Sequence, residues 1–191
     1  YELKVGEIVA AFKPKKVLVH YGGKSAKASG LLDRVLKSLD DAGVSYVELG
    51  GVVANPELKL VREGIDLCLK EGVDFVLAVG GGSVLDSSKA IANGAANPDV
   101  DVWDFSLGKA VPAKTLPKGV VLTLSAAGSE MSSSCVISNL ETGQKLGYSC
   151  SANRMNFAIE NPELTYTVNA YQTECGAVDI AMHTIERYFC P

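Results

Sequence analysis

Asp74-Phe75-Val76-Leu77-Ala78-Val79-Gly80-Gly81-Gly82-Ser83-Val84-Leu85-Asp86-Ser87-Ser88-Lys89-Ala90-Ile91-Ala92 decides the fold of this chain. Residues 74–79 form a short, largely apolar run, the pattern of a strand buried on both faces. Three glycines then lead directly into a helical stretch over about Ser83 to Asn93. A strand that opens straight into a helix aims bare backbone N–H groups and the positive end of a helix dipole into one space. Glycine suits that bend, because a Cβ would hold the backbone away from an anion and would disfavour positive φ. Two readings of the bend coexist: a pyrophosphate cradle, and a tight turn in which Ser83 is the N-cap and Asp86 completes a capping box.

The same alternation extends on either side. Lys16 to Tyr21 reads as a strand ending at Gly22-Gly23, and about Ser25 to Leu39 as a helix. Val44 to Leu49 is a second strand closed by Gly50-Gly51, and Asn55-Pro56 opens a helix that runs to Gly72. Gly119 to Leu124 is a further strand. Cys135 to Ser138 and Asn156 to Ile159 follow as strands, with the polar stretch Asn139 to Lys145 between them as a hairpin-like excursion. From Ala170 to Phe189, Val178, Ala181, Met182, Ile185 and Phe189 recur at helical spacing. Strands alternating with helices predict an α/β fold, a mainly parallel sheet with helices on both faces. The pattern places a domain boundary near Asn161-Pro162, giving an α/β domain over 1–161 and the start of an all-helical domain over 162–191. A standard Rossmann pattern is excluded, because the first turn is Tyr21-Gly22-Gly23-Lys24-Ser25 and no GxGxxG follows the first strand.

Composition narrows the function. A net charge of -4 and a pI near 5.2 supply no basic field for a phosphate backbone, so nucleic acid is not an expected partner. No apolar run approaches the roughly 18 residues of a membrane span, and the N-terminus lacks signal-peptide blocks. A cytoplasmic protein is expected. Five cysteines with no CxxC spacing read as buried free thiols in a reducing compartment. The chain begins at Tyr1 and ends at Pro191 just after a helical pattern, so both ends read as cut.

The run from Gly80 to Ala92 resembles the GGGSxxDxxKxIA signature of the iron-dependent (group III) alcohol dehydrogenase family. Leu122 to Met131 is similar to that family's PTTAGTGSE segment, in the form of its butanol dehydrogenase and NADPH-dependent aldehyde reductase branch, with Leu124, Ala126 and Ala127 departing from Thr, Gly and Thr. Asp179-Ile180-Ala181-Met182-His183 matches the family's DxxxH, and Asn55-Pro56 its Asn-Pro position. The resemblance covers nearly the whole chain. It implies a dehydroquinate synthase-like dinucleotide-binding domain, a helical metal-binding domain of which 162–191 is the first part, and often a homodimer. Carried over by residue, Gly81, Gly82 and Ser83 would hold the pyrophosphate, with Asp86 near the nicotinamide-side ribose. Thr123 and Ser132 would line the cleft, and Lys145 would reach the cofactor.

The turn Gly22-Gly23-Lys24-Ser25 bears on cofactor choice. NAD-specific members of the family tend to carry an aspartate there, which would repel a 2'-phosphate. Here one cation and one hydroxyl stand instead, so NADP(H) is expected over NAD(H), against the reading of Lys24 as a solvated surface lysine. Asp179 and His183, four apart on the predicted helix, lie one turn apart on one face. That spacing fits a surface Asp-His pair, and within the resemblance it fits two ligands of one divalent metal, Fe2+ or Zn2+. The family adds two further histidines, which this chain does not supply, because His20 falls in the first strand. The activity implied is hydride transfer between NADP(H) and a small alcohol or aldehyde, with the metal as Lewis acid. A glycerol dehydrogenase-like enzyme is the near alternative. A noncatalytic dinucleotide-binding fragment is the distant one.

Overall fold

The computed structural model describes residues 1–190. In chain order the elements are α1 (Val5–Ala10), β1 (Val17–Gly22), α2 (Ser25–Ala28), α3 (Leu31–Asp41), β2 (Tyr46–Val52), α4 (Leu58–Glu71) and β3 (Phe75–Gly80). Then follow α5 (Gly82–Ala96), α6 (Val102–Ser106), β4 (Lys118–Leu122), β5 (Ser134–Asn139), β6 (Gln144–Ser149), β7 (Phe157–Glu160) and α7 (Ala170–Phe189). The main sheet has five strands in the order β2-β1-β3-β4-β7, every pair parallel. β5 and β6 form a separate antiparallel pair.

β3 and β4 are buried at every residue, and β1 at all but Gly22, as expected when both sheet faces are covered. Side chains alternate between two cores. Val17, Val19, Phe75, Leu77 and Val79 pack toward α1 and α3, whereas Leu18 and Val76 pack toward α4, α5 and α6. α4 and α5 pack closely because each offers a glycine to the other: Gly64 receives Ile91, and Gly94 receives Ile65. No helix among the described residues is long and apolar enough to cross a membrane.

The α/β class and the parallel sheet agree with the sequence reading, and α7 has the expected bounds. Several boundaries differ for local reasons. The helix expected over 25–39 is two helices, because Gly30 takes a left-handed φ of 67° between them. The strand expected to close at Gly50-Gly51 runs on to Val52, with an irregularity opposite Gly22 and Gly51 at φ 100°. Pro56 does not open α4, which begins at Leu58, since Asn55 sits at a left-handed φ of 59°. The strand expected to reach Leu124 stops at Leu122, and the excursion over 139–145 contains the start of β6, a strand the sequence reading missed along with α1 and α6. Of the five cysteines only Cys68 and Cys135 are buried; Cys150 is half-buried, and Cys175 and Cys190 are exposed.

Candidate functional site

In a parallel sheet every strand releases its following loop at the same end. The register pairs Tyr21 with Val79 and Gly80 with Leu122, so the turns after β1, β3 and β4 emerge side by side. From β1 the sheet grows outward to β2 on one side and to β3, β4 and β7 on the other. Such a reversal of strand order leaves a crevice at the carboxyl ends of the two central strands, where ligands of open α/β sheets lie. Both of those strands end in a glycine turn, Gly22-Gly23 and Gly80-Gly81-Gly82.

At the second turn, α5 begins at Gly82 with Gly81 as its N-cap, and no side chain caps it. Of the two readings of the bend, the capping box of Ser83 and Asp86 is not formed. Ser83 already lies inside the helix, and Asp86 is turned elsewhere. The Val84 amide turns back to the Gly81 carbonyl (2.9 Å), so at this uncapped entrance the amides of Gly82 and Ser83 are the ones without an acceptor inside the helix. A Cβ on Gly82 or on Gly23 would meet nothing within 4 Å, so both turns border open space. The Thr123 amide donates to the Gly80 carbonyl (3.2 Å), which sets the loop after β4 beside this entrance.

A cleft of about 640 Å³ opens there, lined among others by Ser25, Arg34, Gly81, Thr123, Leu124 and Gln172. Three of the residues picked out in sequence, Ser25, Gly81 and Thr123, therefore share one cavity. Gly22, Gly23 and Lys24 form the adjoining turn, with Lys24 exposed as the N-cap of α2, and Gly82 and Ser83 open α5. Asn55 and Lys145 meet, the lysine Nζ donating to Asn55 Oδ1 over 2.7 Å.

Asp86 faces the loop between β4 and β5. Its Oδ1 accepts from Ser129 Oγ (2.7 Å) and its Oδ2 from the Val136 amide (3.1 Å). Ser132 Oγ accepts from the Ser134 amide (2.9 Å). Beside them, the fully buried Lys89 donates to Ser129 Oγ, Ser132 O and Ser134 O. Burial pulls the Lys89 ammonium below its usual pKa, and the Asp86 carboxylate pulls it back up. In the sequence Lys89 stands only as the lysine of the Gly80–Ala92 signature, with no role attached to it. Its spacing of three from Asp86 on one helix was the available signal. Arg34 was also missed, because nothing local marks it as a cleft residue.

His20 lies in β1, as its place in the first strand implied, and is buried. Its Nδ1 lies 2.7 Å from the Leu49 carbonyl, to which it donates, so Nε2 accepts from Ser87 Oγ at 2.8 Å. Burial depresses its pKa to about 4, although the Leu49 bond pulls upward.

Asp179 and His183 sit one turn apart on α7, Oδ2 to Nδ1 3.6 Å, each side chain about two-thirds exposed. Among the described residues they have no third His, Cys, Asp or Glu near enough to complete a metal-binding cluster. Their donor chemistry, one carboxylate and one imidazole, fits part of a divalent site.

The comparisons agree with this geometry. The chain is 47% identical over 175 residues to a probable NADH-dependent butanol dehydrogenase of Bacillus subtilis, covering 92% of this chain and 45% of that protein. It is 40% identical over 176 residues to an NADPH-dependent aldehyde reductase of Escherichia coli, covering 91% of this chain and 45% of that one. The crystal structure of an NADH-dependent butanol dehydrogenase of Thermotoga maritima superposes with a TM-score of 0.93 at 43% identity, over 98% of this chain and 47% of that one. The chain thus spans about half the length of the relatives it matches. The family model described as iron-containing alcohol dehydrogenase matches residues 2–162, and this chain belongs to that family.

Proposed function

We propose that this chain supplies the dinucleotide cleft and two metal ligands of a metal-dependent alcohol dehydrogenase or aldehyde reductase that transfers hydride between NADP(H) and a small alcohol or aldehyde. The observation that carries this reading is the pair of glycine turns at the carboxyl ends of β1 and β3, both opening on free space beside one cleft. A diphosphate fits such an entrance, because uncapped amides and a helix dipole meet it where no side chain intervenes.

The residues divide the work. Gly81, Gly82 and Ser83 would hold the diphosphate, and Thr123 would form the facing wall. Gln172 lines the cleft on α7, and Asp179 follows it by seven residues, two helical turns. Residues seven apart share a helix face, about 10 Å along the axis. The stripe that borders the cleft therefore leads to Asp179 and His183, which would hold one divalent ion, Fe2+ or Zn2+. When bound, the ion supplies Lewis acidity toward the substrate oxygen.

NADP(H) is favoured by the first turn. No carboxylate stands in Gly22-Gly23-Lys24-Ser25, where Lys24 supplies a cation, and the Lys27 ammonium on α2 lies over the Tyr21 ring, 5.1 Å from its centroid. Relatives named for NADH and for NADPH both occur, so the preference is supported by the turn and not by the family. The test is equilibrium binding of NADPH and NADH, with turnover on a panel of aldehydes. The reading expects NADPH to bind at least about tenfold tighter and Lys24→Ala to abolish the difference. Tighter binding of NADH would refute the cofactor assignment, and no binding of either would refute the cleft.

A further inference from the structure

We propose that Lys89 is a positioning residue for the cleft: its buried ammonium, together with the Asp86 carboxylate, clasps the loop between β4 and β5 onto α5 and so holds the Thr123-Leu124 wall in place. This inference rests on the dinucleotide reading of the cleft given above.

The loop over residues 123–133 contains no strand and no helix, and five of its residues are exposed, Met131 at 76%. Little apolar burial holds it down. Its buried residue is Ser129, and that side chain is gripped from both sides, accepting from Lys89 Nζ at 2.8 Å and donating to Asp86 Oδ1 at 2.7 Å. Lys89 Nζ also donates to the carbonyls of Ser134 (2.8 Å) and Ser132 (3.2 Å), so all three ammonium donors are spent on this loop and its exit. Asp86 Oδ2 secures the next residue pair by accepting from the Val136 amide.

The chemistry explains why a lysine stands at a site with no exposure. An apolar side chain would leave the Ser132 and Ser134 carbonyls buried without donors, and a neutral amide offers two protons for three acceptors. An ammonium that meets every acceptor offsets its own desolvation through the carboxylate 3.7 Å away. Asp86 and Lys89 are three apart on α5, the helix whose first turn faces the cleft. The clasp therefore ties the loop wall and the phosphate entrance to one rigid element, and the two keep a constant spacing.

The experiment uses the whole protein carrying this chain, with Lys89→Met, Lys89→Arg and Ser129→Ala. Hydrogen–deuterium exchange without ligand reads the clasp itself, and KM for the dinucleotide against kcat reads its effect on the cleft. Exchange over residues 123–134 should quicken by about tenfold or more in Lys89→Met and by less in Ser129→Ala, and Lys89→Arg should restore part of the protection. KM should rise about tenfold in Lys89→Met with kcat changed far less. Should Lys89→Met fail to fold, Ser129→Ala carries the same comparison. Unchanged exchange over 123–134 in every variant that folds overturns the clasp. Quickened exchange with unaltered dinucleotide KM leaves the clasp standing as a loop anchor and overturns its role in the cleft. Loss of dinucleotide binding in the parent protein would instead strike the function proposed above.

Discussion

Lys145 Nζ donates to Asn55 Oδ1 across 2.7 Å, joining positions 90 residues apart in sequence. The contact ties β6 to the loop that leaves β2 at the carboxyl end of the sheet. Asn55 holds a left-handed φ of 59°, which asparagine tolerates better than most residues. Asn55→Gly keeps that backbone and deletes the acceptor, whereas Asn55→Ala adds strain. Chemical denaturation should therefore find Asn55→Ala less stable than Asn55→Gly by about 1 kcal/mol. If Lys145 reaches the dinucleotide, Lys145→Met should raise its KM several-fold more than Asn55→Gly does. Equal effects would confine Lys145 to the pairing.

Gly82→Ala separates stability from binding. The added Cβ meets no atom within 4 Å and the residue is helical, so the folded chain accepts it. Alanine lowers the entropy of the unfolded chain, and thermal denaturation should show a gain of about 0.5 kcal/mol. The same methyl group would stand where a diphosphate approaches the backbone, so calorimetric titration should show dinucleotide affinity falling at least about tenfold. A variant both more stable and equally tight in binding would remove the diphosphate from this turn.

His20 sets a pH window for stability. Its folded pKa is about 4 against an ordinary 6.5, because burial between Leu49 and Ser87 disfavours the charged ring. The unfolded chain therefore takes up the proton first. The contribution is complete above pH 6.5 and is lost as pH falls toward 4, amounting to about 3 kcal/mol in all. Glu2 titrates lower: burial raises it, but donation from the Asn161 amide and other bonds outweigh that and hold it at about 2. Urea denaturation of the parent and of His20→Gln between pH 7 and pH 5 isolates the histidine, since the slope should flatten in the variant.

Much of this was legible in the sequence, and the exceptions share causes. β1, β3 and β4 could be read because a strand covered on both faces is apolar throughout. β6 could not, because Gln144 to Ser149 belongs to a two-stranded sheet and is largely exposed, so its residues look like loop. Gly50-Gly51 signalled a turn, yet the chain continues as an edge strand where a bulge tolerates glycine. Ser83 and Asp86 satisfied the spacing of a capping box, but a competing partner, the Ser129–Val136 segment, lies 43 to 50 positions away and is invisible to local pattern. The role of Lys89, the lysine of the quoted signature, was hidden for a similar reason, since its partners lie 40 to 45 positions away and lysine is almost never fully buried unless paired.

Asp179→Ala and His183→Ala should each lower metal content after dialysis, with affinity falling more than about 100-fold, beyond what loss of a residue that merely supports a ligand costs. Elemental analysis of the whole protein measures this. Unchanged metal content in both variants would reduce the pair to a surface contact.

None of α7's 20 residues is buried. Within the chain its winding rests on backbone bonding and on the Asn169 side chain, which accepts from the Gln172 amide. Asp179 and His183 come within reach of a common ion only while the turn between them is coiled. An ion bridging the pair would therefore act as a staple for the helix, and any neighbour that favours the coil would tighten the grip on that ion by an equal factor.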